Sequence, residues 1–163
     1  MISIGLLSDT HGYWDDKIKK HFIDCQEIWH AGDMGVFPED MTFFQDKKFT
    51  GVFGNIDGEN CRLQFPSFQV LQKEDIKIIM THIAGYPGKY TSFAKKLIEE
   101  HKPQLFICGH SHILKIIKCP NWGHLHINPG AAGIEGFHKV RTLVRFKILG
   151  NNISDLEVIE IKK

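Results

Sequence analysis

The sequence predicts an α/β fold in which short apolar strands alternate with amphipathic helices over the first two-thirds of the chain. Three observations support this. Apolar runs end at polar, glycine-containing loops, helical stripes lie between such runs, and closely spaced strands follow Gly109. The 163 residues are 42% hydrophobic and 24% charged, which is ordinary for a globular protein. We therefore expect a single domain, residues 1–163, with a core of its own.

The alternating part begins with an apolar run at 2–7, typical of a buried strand that leads into a functional loop. Residues 14–24 predict a helix with Ile18, Phe22 and Ile23 on one stripe. The later predictions are strands at 27–33 and 48–55, a hairpin at 68–82, a helix at 92–102 with Phe93, Leu97 and Ile98 facing inward, and a strand at 104–110.

Strands without helices between them are predicted after Gly109. The strand-like runs are 113–119, 124–128, 140–149 and 153–161, and the Gly-Asn-Asn sequence at 150–152 marks a hairpin turn. The parallel α/β organisation is therefore expected to pass into an antiparallel β segment.

Charge and cysteine spacing disfavour several classes of protein. The formal net charge is +1 with acids and bases interspersed, so we expect no nucleic-acid binding driven by phosphate neutralisation. We expect no signal peptide and no membrane span, because Asp9 interrupts the first apolar run and no run approaches about 18 apolar residues. The four cysteines form no Cys-x-x-Cys pair, which predicts reduced thiols and a cytoplasmic location.

Polar residues follow five of the predicted strands. The segments are Ser-Asp-Thr-His-Gly (8–12), His-Ala-Gly-Asp (30–33), Phe-Gly-Asn-Ile-Asp (53–57), Met-Thr-His (80–82) and Cys-Gly-His-Ser-His (108–112). The carboxyl ends of parallel strands gather at one edge of a sheet. We therefore expect seven side chains to converge: Asp9, His11, Asp33, Asn55, His82, His110 and His112. Their mixture of nitrogen and oxygen donors suits Mn, Fe, Co, Ni or Zn better than Ca or Mg.

Each segment alone has a structural explanation as well. An Asp-Thr-His sequence is more often a capped turn than a ligand pair, and a histidine after a strand is usually a hydrogen-bonded strand end. The His-x-His pair at 110 and 112 is the most informative, because residues two apart on an extended backbone point the same way. Five coincidences in chain order favour a metal centre.

These motifs, in this order, resemble the calcineurin-like metallophosphoesterase superfamily, whose pattern is D-x-H, G-D, G-N, a histidine and G-H-x-H. The match covers residues 1–112, and Ile-Asn-Pro-Gly-Ala-Ala-Gly (127–133) resembles a turn of the small bacterial and archaeal phosphodiesterases in that superfamily. The resemblance implies a four-layer α/β/β/α sandwich, with two mixed β-sheets flanked by helices.

The resemblance also implies a binuclear site for two divalent transition-metal ions, with manganese preferred over nickel, cobalt, iron or zinc. One ion would be held by Asp9, His11, Asp33 and His112, and the other by Asp33, Asn55, His82 and His110, so that Asp33 bridges. The implied reaction is attack of a metal-bridging hydroxide on a small phosphodiester. With both ions provided for, we assign His124 and His126 to structure.

Departures from the family pattern leave alternatives open. Ile56 replaces the histidine that many members carry directly after the G-N asparagine, and Asp57 is the candidate proton donor, against a simpler role in a turn. His30 is either a partner of the ligands or a packed histidine, and Tyr86, Lys89 and Tyr90 either line the site or are exposed loop residues.

Other functions of the same fold are a phosphomonoesterase and a non-catalytic metal-binding scaffold, the role of the small subunit of the eukaryotic retromer coat. Seven intact ligand positions favour catalysis over the scaffold. The sequence leaves open whether the chain forms a homo-oligomer.

Overall fold

The computed structural model describes residues 1–36 and 45–163. The described strands are β1 (Ile2–Leu7), β2 (Glu27–His30), β3 (Lys48–Gly51), β4 (Phe68–Lys73), β5 (Ile76–Thr81), β6 (Leu105–Ile107), β7 (Leu114–Lys118), β8 (Leu125–Pro129), β9 (Val140–Leu149) and β10 (Asn152–Lys162). The described helices are α1 (Asp16–Phe22), α2 (Glu59–Gln64) and α3 (Ser92–His101).

The strands form two five-stranded sheets, in the orders β10-β9-β1-β2-β3 and β4-β5-β6-β8-β7. Both sheets are mixed. In the first, β1, β2 and β3 are parallel, and β9 is antiparallel to β1 and β10. In the second, β5, β6 and β8 are parallel, and β4 and β7 are antiparallel edge strands. The predicted antiparallel pairing after Gly109 holds between β7 and β8 and between β9 and β10, but β8 also pairs with β6 in parallel, because β7 takes the edge of the sheet and β8 is inserted beside β6.

Alternation along the strands separates the chain into four layers. Ile4 and Leu6 of β1 pack against Ile78 of β5 in the core between the sheets. Leu7 points to the opposite face, where it packs with Phe22 of α1. Because successive strand residues face opposite sides, one apolar run serves both layers. The predicted α/β/β/α sandwich is confirmed.

The second sheet is covered in the same way. Ile79 and Phe106 lie on its outer face and pack with Leu97 of α3. Side-chain caps begin both covering helices: Asp15 accepts a hydrogen bond from the Ile18 N–H at 3.1 Å, and Thr91 from the Ala94 N–H at 3.1 Å. None of the helices in the described ranges has the length and apolar character needed to cross a membrane.

Two predicted core residues are exposed, and one helix was not predicted. Ile23 is 65% exposed, because α1 ends at Phe22 and the stripe ends with it. Phe93 is 45% exposed, since α3 turns Ala94, Leu97 and Ile98 to the sheet instead. Helix α2 buries none of its residues and therefore has no apolar stripe to signal it.

Candidate metal centre

Five loops from both sheets meet at one edge of the sandwich. The loops after β1 and β2 are joined by two backbone hydrogen bonds, from the Asp9 N–H to the Gly32 carbonyl and from the His11 N–H to the Asp33 carbonyl, each at 3.0 Å. In the second sheet, the Gly109 N–H donates to the His82 carbonyl at 2.9 Å. These contacts bring together all seven side chains that the sequence singled out.

The side chains form two clusters. Ligand atoms of Asp9, His11 and His112 lie within 4.8 Å of one another, and so do those of Asp33, His82 and His110. Asn55 completes the second cluster, because its Oδ1 lies 3.1 Å from His82 Nε2 and 3.0 Å from His110 Nδ1.

Asp33 lies between the two clusters. Its Oδ2 is 3.1 Å from His82 Nε2, in the second cluster, and 3.5 Å from His11 Nε2, in the first. This is the position that a carboxylate shared by two ions would need.

The two carboxylates use their oxygens in the same way. Asp9 Oδ2 accepts hydrogen bonds from the Ser8 hydroxyl at 2.7 Å and the His110 N–H at 3.0 Å, while its Oδ1 faces His112 Nε2 at 3.3 Å. Asp33 Oδ1 accepts from the Ile56 N–H at 3.0 Å, and its Oδ2 faces the clusters. In each carboxylate one oxygen accepts a backbone hydrogen bond from another loop, and the other oxygen faces the histidine nitrogens of the clusters.

The lone pairs in the second cluster converge on a position that a proton or a metal ion would fill. His82 Nδ1 donates to the Ala31 carbonyl at 2.8 Å, so the Nε2 of a neutral imidazole carries no proton. That bare nitrogen faces the oxygens of Asp33 and Asn55 at 3.1 Å each. Acceptors this close repel one another unless a proton or a metal ion lies among them.

The first cluster contains atoms without a partner. Asp9 Oδ1 and His11 Nε2 are buried, and no described residue forms a hydrogen bond with either. Buried polar atoms are costly to leave unpaired. Imidazole nitrogens beside carboxylate and amide oxygens are the donor set of a divalent transition metal, so the residues fit such an ion in both clusters.

The electrostatics of the two clusters favour positive charge. Burial by itself would raise the pKa of Asp9, but the neighbouring imidazoles of His11 and His112 outweigh it and hold that pKa far below its usual range. The Asp9 carboxylate, whose Oδ1 lies 3.9 Å from His11 Nε2, raises the pKa of His11. Burial opposes a raised pKa at His82, yet the Asp33 carboxylate raises it. The raised pKa values of His11 and His82 favour their protonated forms, and a metal ion bound to these imidazoles would displace the proton.

The ligand-bearing loops have an unusual backbone. Eight non-glycine residues in the described chain have positive φ, and five of them belong to the clusters: Asp9, His11, Asp33, His110 and His112, with φ between 47° and 72°. Non-glycine residues rarely adopt this region, and it persists at functional sites where the surrounding structure enforces it.

Motif glycines allow the loops to approach. A Cβ on Gly54 would overlap the Asp33 carboxylate, and one on Gly109 would overlap the Ser8 side chain. The glycine of the G-N motif and that of the G-H-x-H motif are therefore needed for close approach.

Two further residues that the sequence singled out, Asp57 and His30, have structural contacts. Asp57 is 3% exposed, and its carboxylate accepts from the N–H groups of Met34, Gly35 and Gly54 at 3.2, 2.9 and 2.7 Å. It therefore ties two loops together. His30 lies behind the ligands: its Nδ1 accepts from the Gly32 N–H at 3.1 Å and its Nε2 lies 2.9 Å from Thr10 Oγ1. Burial lowers the His30 pKa to about 4.

The end of β8 and the turn after it support the candidate centre, a role that the sequence did not predict. Asn128 donates to the Gly109 carbonyl at 2.9 Å and to Ser111 Oγ at 3.1 Å. The Gly133 N–H donates to the Asp9 carbonyl at 3.1 Å. These residues belong to the 127–133 motif, which was the available signal.

The loop after His82 contributes less than expected. Tyr86 is 41% exposed, whereas Tyr90 is 6% exposed. The Tyr90 hydroxyl lies 2.9 Å from His124 Nε2 and 2.6 Å from His126 Nδ1. Tyr90 is therefore part of a separate buried cluster.

The fold is shared with several solved structures. The chain is similar to a conserved uncharacterized protein of Streptococcus pneumoniae described as a predicted phosphoesterase, with 19% identity and a TM-score of 0.70 over 99% of this chain and 89% of that one. It is also similar to Vps29 of Chaetomium thermophilum, with 14% identity and a TM-score of 0.73 over the whole of both chains.

A third similar structure is YfcE, a phosphoesterase from E. coli, with 16% identity and a TM-score of 0.64 over 96% of this chain and 98% of that one. Among curated proteins, none matches the sequence. The family model of the calcineurin-like phosphoesterase superfamily domain matches residues 2–151. Because that match covers most of the chain and includes both clusters, the protein belongs to the calcineurin-like phosphoesterase superfamily.

Proposed function

We propose that this protein is a metal-dependent phosphodiesterase with two divalent ions, manganese in the first instance, at the paired clusters. The observation that carries the proposal is the position of Asp33 Oδ2, 3.1 Å from His82 and 3.5 Å from His11. Asp9, His11 and His112 would hold one ion, Asn55, His82 and His110 the other, and Asp33 both.

Two such ions supply a nucleophilic oxygen from water and stabilise charge on the phosphoryl group. Hydrogen bonds within the chain hold the candidate ligand atoms in fixed orientations. Asp9 and Asp33 are each fixed through one oxygen, and the tautomer of His82 is fixed by Ala31. A rigid donor set of this kind needs no rearrangement before binding substrate.

The preference for a diester rests on the absence of a proton donor at position 56. Ile56 stands directly after Asn55, and its hydrocarbon side chain has no proton to give to a leaving group. Asp57 is not assigned this role, because its oxygens already accept three backbone hydrogen bonds. We expect activity on small diesters with good leaving groups and weak activity on monoesters.

Metal analysis followed by parallel assays on bis(p-nitrophenyl) phosphate and p-nitrophenyl phosphate tests the proposal. We expect about two ions per chain, loss of activity on chelation, and recovery with Mn, Ni or Co. The diester should show the higher kcat/KM. Full activity in metal-free protein would contradict the mechanism, and a higher kcat/KM on the monoester would contradict the substrate class.

A non-catalytic scaffold is the second candidate, and the similarity to Vps29 favours it. In a scaffold the ligands could be lost without consequence, whereas here seven candidate ligands converge. A cytoplasmic location is also proposed. Its support is that Cys25, Cys61, Cys108 and Cys119 are all free thiols, as expected in a reducing compartment.

A further inference from the structure

An open cavity of about 340 Å³ adjoins the second cluster. Two candidate ligands, Asn55 and His82, line it on one side. The rest of its wall includes Phe53, Arg62, Ile83 and Phe93. Neither the family pattern nor the proposed reaction uses these four residues.

The apolar wall of the cavity consists of side chains that the fold leaves uncovered. Ile83 is 42% exposed and Phe93 is 45% exposed. The Phe93 ring packs edge-on against Phe68, with a centroid distance of 5.6 Å and an interplanar angle of 75°. This contact supports the Phe93 ring from one side, so the cavity that His82 lines also presents an aromatic surface.

Arg62 provides the polar part of the wall. Its Nε donates to the Asp57 carbonyl at 2.7 Å, and the guanidinium lies 4.4 Å above the centroid of the Phe53 ring. Nη2 is 3.5 Å from the Gly54 carbonyl, and within the described ranges no residue accepts from Nη1. A flat, immobilised guanidinium can stack on an aromatic ring and can donate to an acceptor on it.

We propose that this cavity is a subsite for a planar aromatic substituent of the phosphodiester, with Phe93 and Ile83 covering the ring and Arg62 donating to an acceptor on it. The inference rests on the proposed function, because the phosphoryl group is taken to sit at the clusters. An aryl ester and a nucleobase share this chemistry.

Calorimetric binding of phosphonates to the manganese-loaded protein tests the subsite independently of turnover. Phenylphosphonate and methylphosphonate differ only in the ring. We expect the phenyl compound to bind about tenfold more tightly, as burial of roughly half an aromatic ring predicts. Phe93→Ala should remove most of this difference while leaving methylphosphonate affinity unchanged, and Ile83→Ala should reduce it.

Ile113→Ala is the matched control, because Ile113 is 66% exposed and follows His112 in the first cluster, away from the cavity. It should retain the phenyl preference. Comparison of uridine 5′-monophosphate with ribose 5-phosphate distinguishes the two kinds of aromatic group. If the protein prefers the uridine compound and loses that preference in both Phe93→Ala and Arg62→Met, the subsite binds a nucleobase. If it prefers the phenyl compound but not the uridine compound, the subsite binds an aryl group.

Equal affinity for the two phosphonates, absence of binding by both, or equal loss of the preference in Phe93→Ala and Ile113→Ala would overturn the subsite. The failures are distinguishable. A phenyl preference in a protein that hydrolyses no diester would contradict the proposed phosphodiesterase function but support the subsite. Diester hydrolysis without a phenyl preference would support the proposed function and contradict the subsite.

Discussion

Two histidine pairs of identical spacing lie in different surroundings. His110 and His112 follow β6, where His112 Nε2 is 3.3 Å from Asp9 Oδ1 and His110 Nδ1 is 3.0 Å from Asn55 Oδ1. His124 and His126 lie at the outer face of the second sheet. There His124 Nε2 and His126 Nδ1 lie 2.9 and 2.6 Å from the hydroxyl of Tyr90. The residue pattern is the same, and the neighbours differ.

The neighbours decide what each histidine cluster can bind. In the candidate metal centre, the Asp9 carboxylate raises the pKa of His11. In the Tyr90 cluster, burial lowers the pKa of His124, and it lowers the pKa of His126 to about 4. Carboxylates therefore make one cluster a candidate cation site, while a neutral hydroxyl makes the other a hydrogen-bonded part of the core. The predictions below test this contrast.

The largest effect is expected from Asp33→Asn. The change removes a negative charge from between the two clusters and should weaken both ion sites together. We expect activity to fall by more than the roughly 10–100-fold that loss of an outer partner costs. Bound metal stabilises the native state by about 2.7 kcal/mol at a hundredfold excess over Kd, and this stabilisation should shrink most in Asp33→Asn.

Single-cluster variants give the comparison for Asp33. His112→Ala should weaken mainly the first ion, and His110→Ala mainly the second, in a calorimetric metal titration. His126→Gln should bind both ions normally, because it lies in the Tyr90 cluster. Two ions bound with near-native affinity in Asp33→Asn would show that Asp33 is not shared.

The same contrast shows what the sequence could predict. Apolar runs that end in chemically distinctive residues located β1, β2, β3, β5 and β6, and the convergence of seven side chains followed from them. The assignment of His124 and His126 to structure depended on counting ligands, since their own spacing carries no such information. The ligand roles themselves stay a prediction.

Other features depend on tertiary contacts that no local pattern encodes. The positive φ of Asp9 and Asp33 is imposed by neighbouring loops, and non-glycine residues give no sign of it in a sequence. Asn128 acts through Gly109, 19 residues away. Phe93 has the spacing of a core residue but lies on a cavity, because the buried stripe of its helix consists of Ala94, Leu97 and Ile98 and does not extend to Phe93.

The pH dependence of stability should differ between the two clusters. His126 is fully buried, with a pKa of about 4 against an ordinary value of 6.5. Between these values the unfolded chain binds a proton at this position and the folded chain does not, so stability is complete above pH 6.5 and falls as the pH falls towards 4. The loss is on the order of 3 kcal/mol.

Denaturant unfolding of wild type and His126→Gln across this range measures that contribution directly. Glutamine does not titrate, so the stability advantage of wild type should shrink by a similar amount as the solution is acidified. Taking the difference between the two proteins cancels the other histidines, including His11 and His82. A difference that stays constant with pH would show that His126 is protonated in the folded protein.

The smallest effect is expected from Tyr90→Phe, which removes one oxygen and nothing else. The hydroxyl donates to one imidazole and accepts from the other, so its loss leaves His124 and His126 with buried, unpaired nitrogens. Unfolding free energy should fall by about 1–3 kcal/mol, as measured by urea denaturation at neutral pH. Manganese affinity should be unchanged, because no contact of Tyr90 reaches a carboxylate of either cluster in the described part of the chain.

Tyr86→Phe is the control for that change, since Tyr86 belongs to the same loop and is 41% exposed. Its stability should stay within about 0.5 kcal/mol of wild type. If Tyr90→Phe instead reduced metal affinity while Tyr86→Phe did not, the two histidine clusters would be coupled through the loop that joins His82 to Tyr90. Equal stability of both variants would mean that loss of the Tyr90 hydroxyl leaves no buried nitrogen unpaired. Packing among the rings of Tyr90, His124 and His126, rather than hydrogen bonding, would then keep the two histidines in the core.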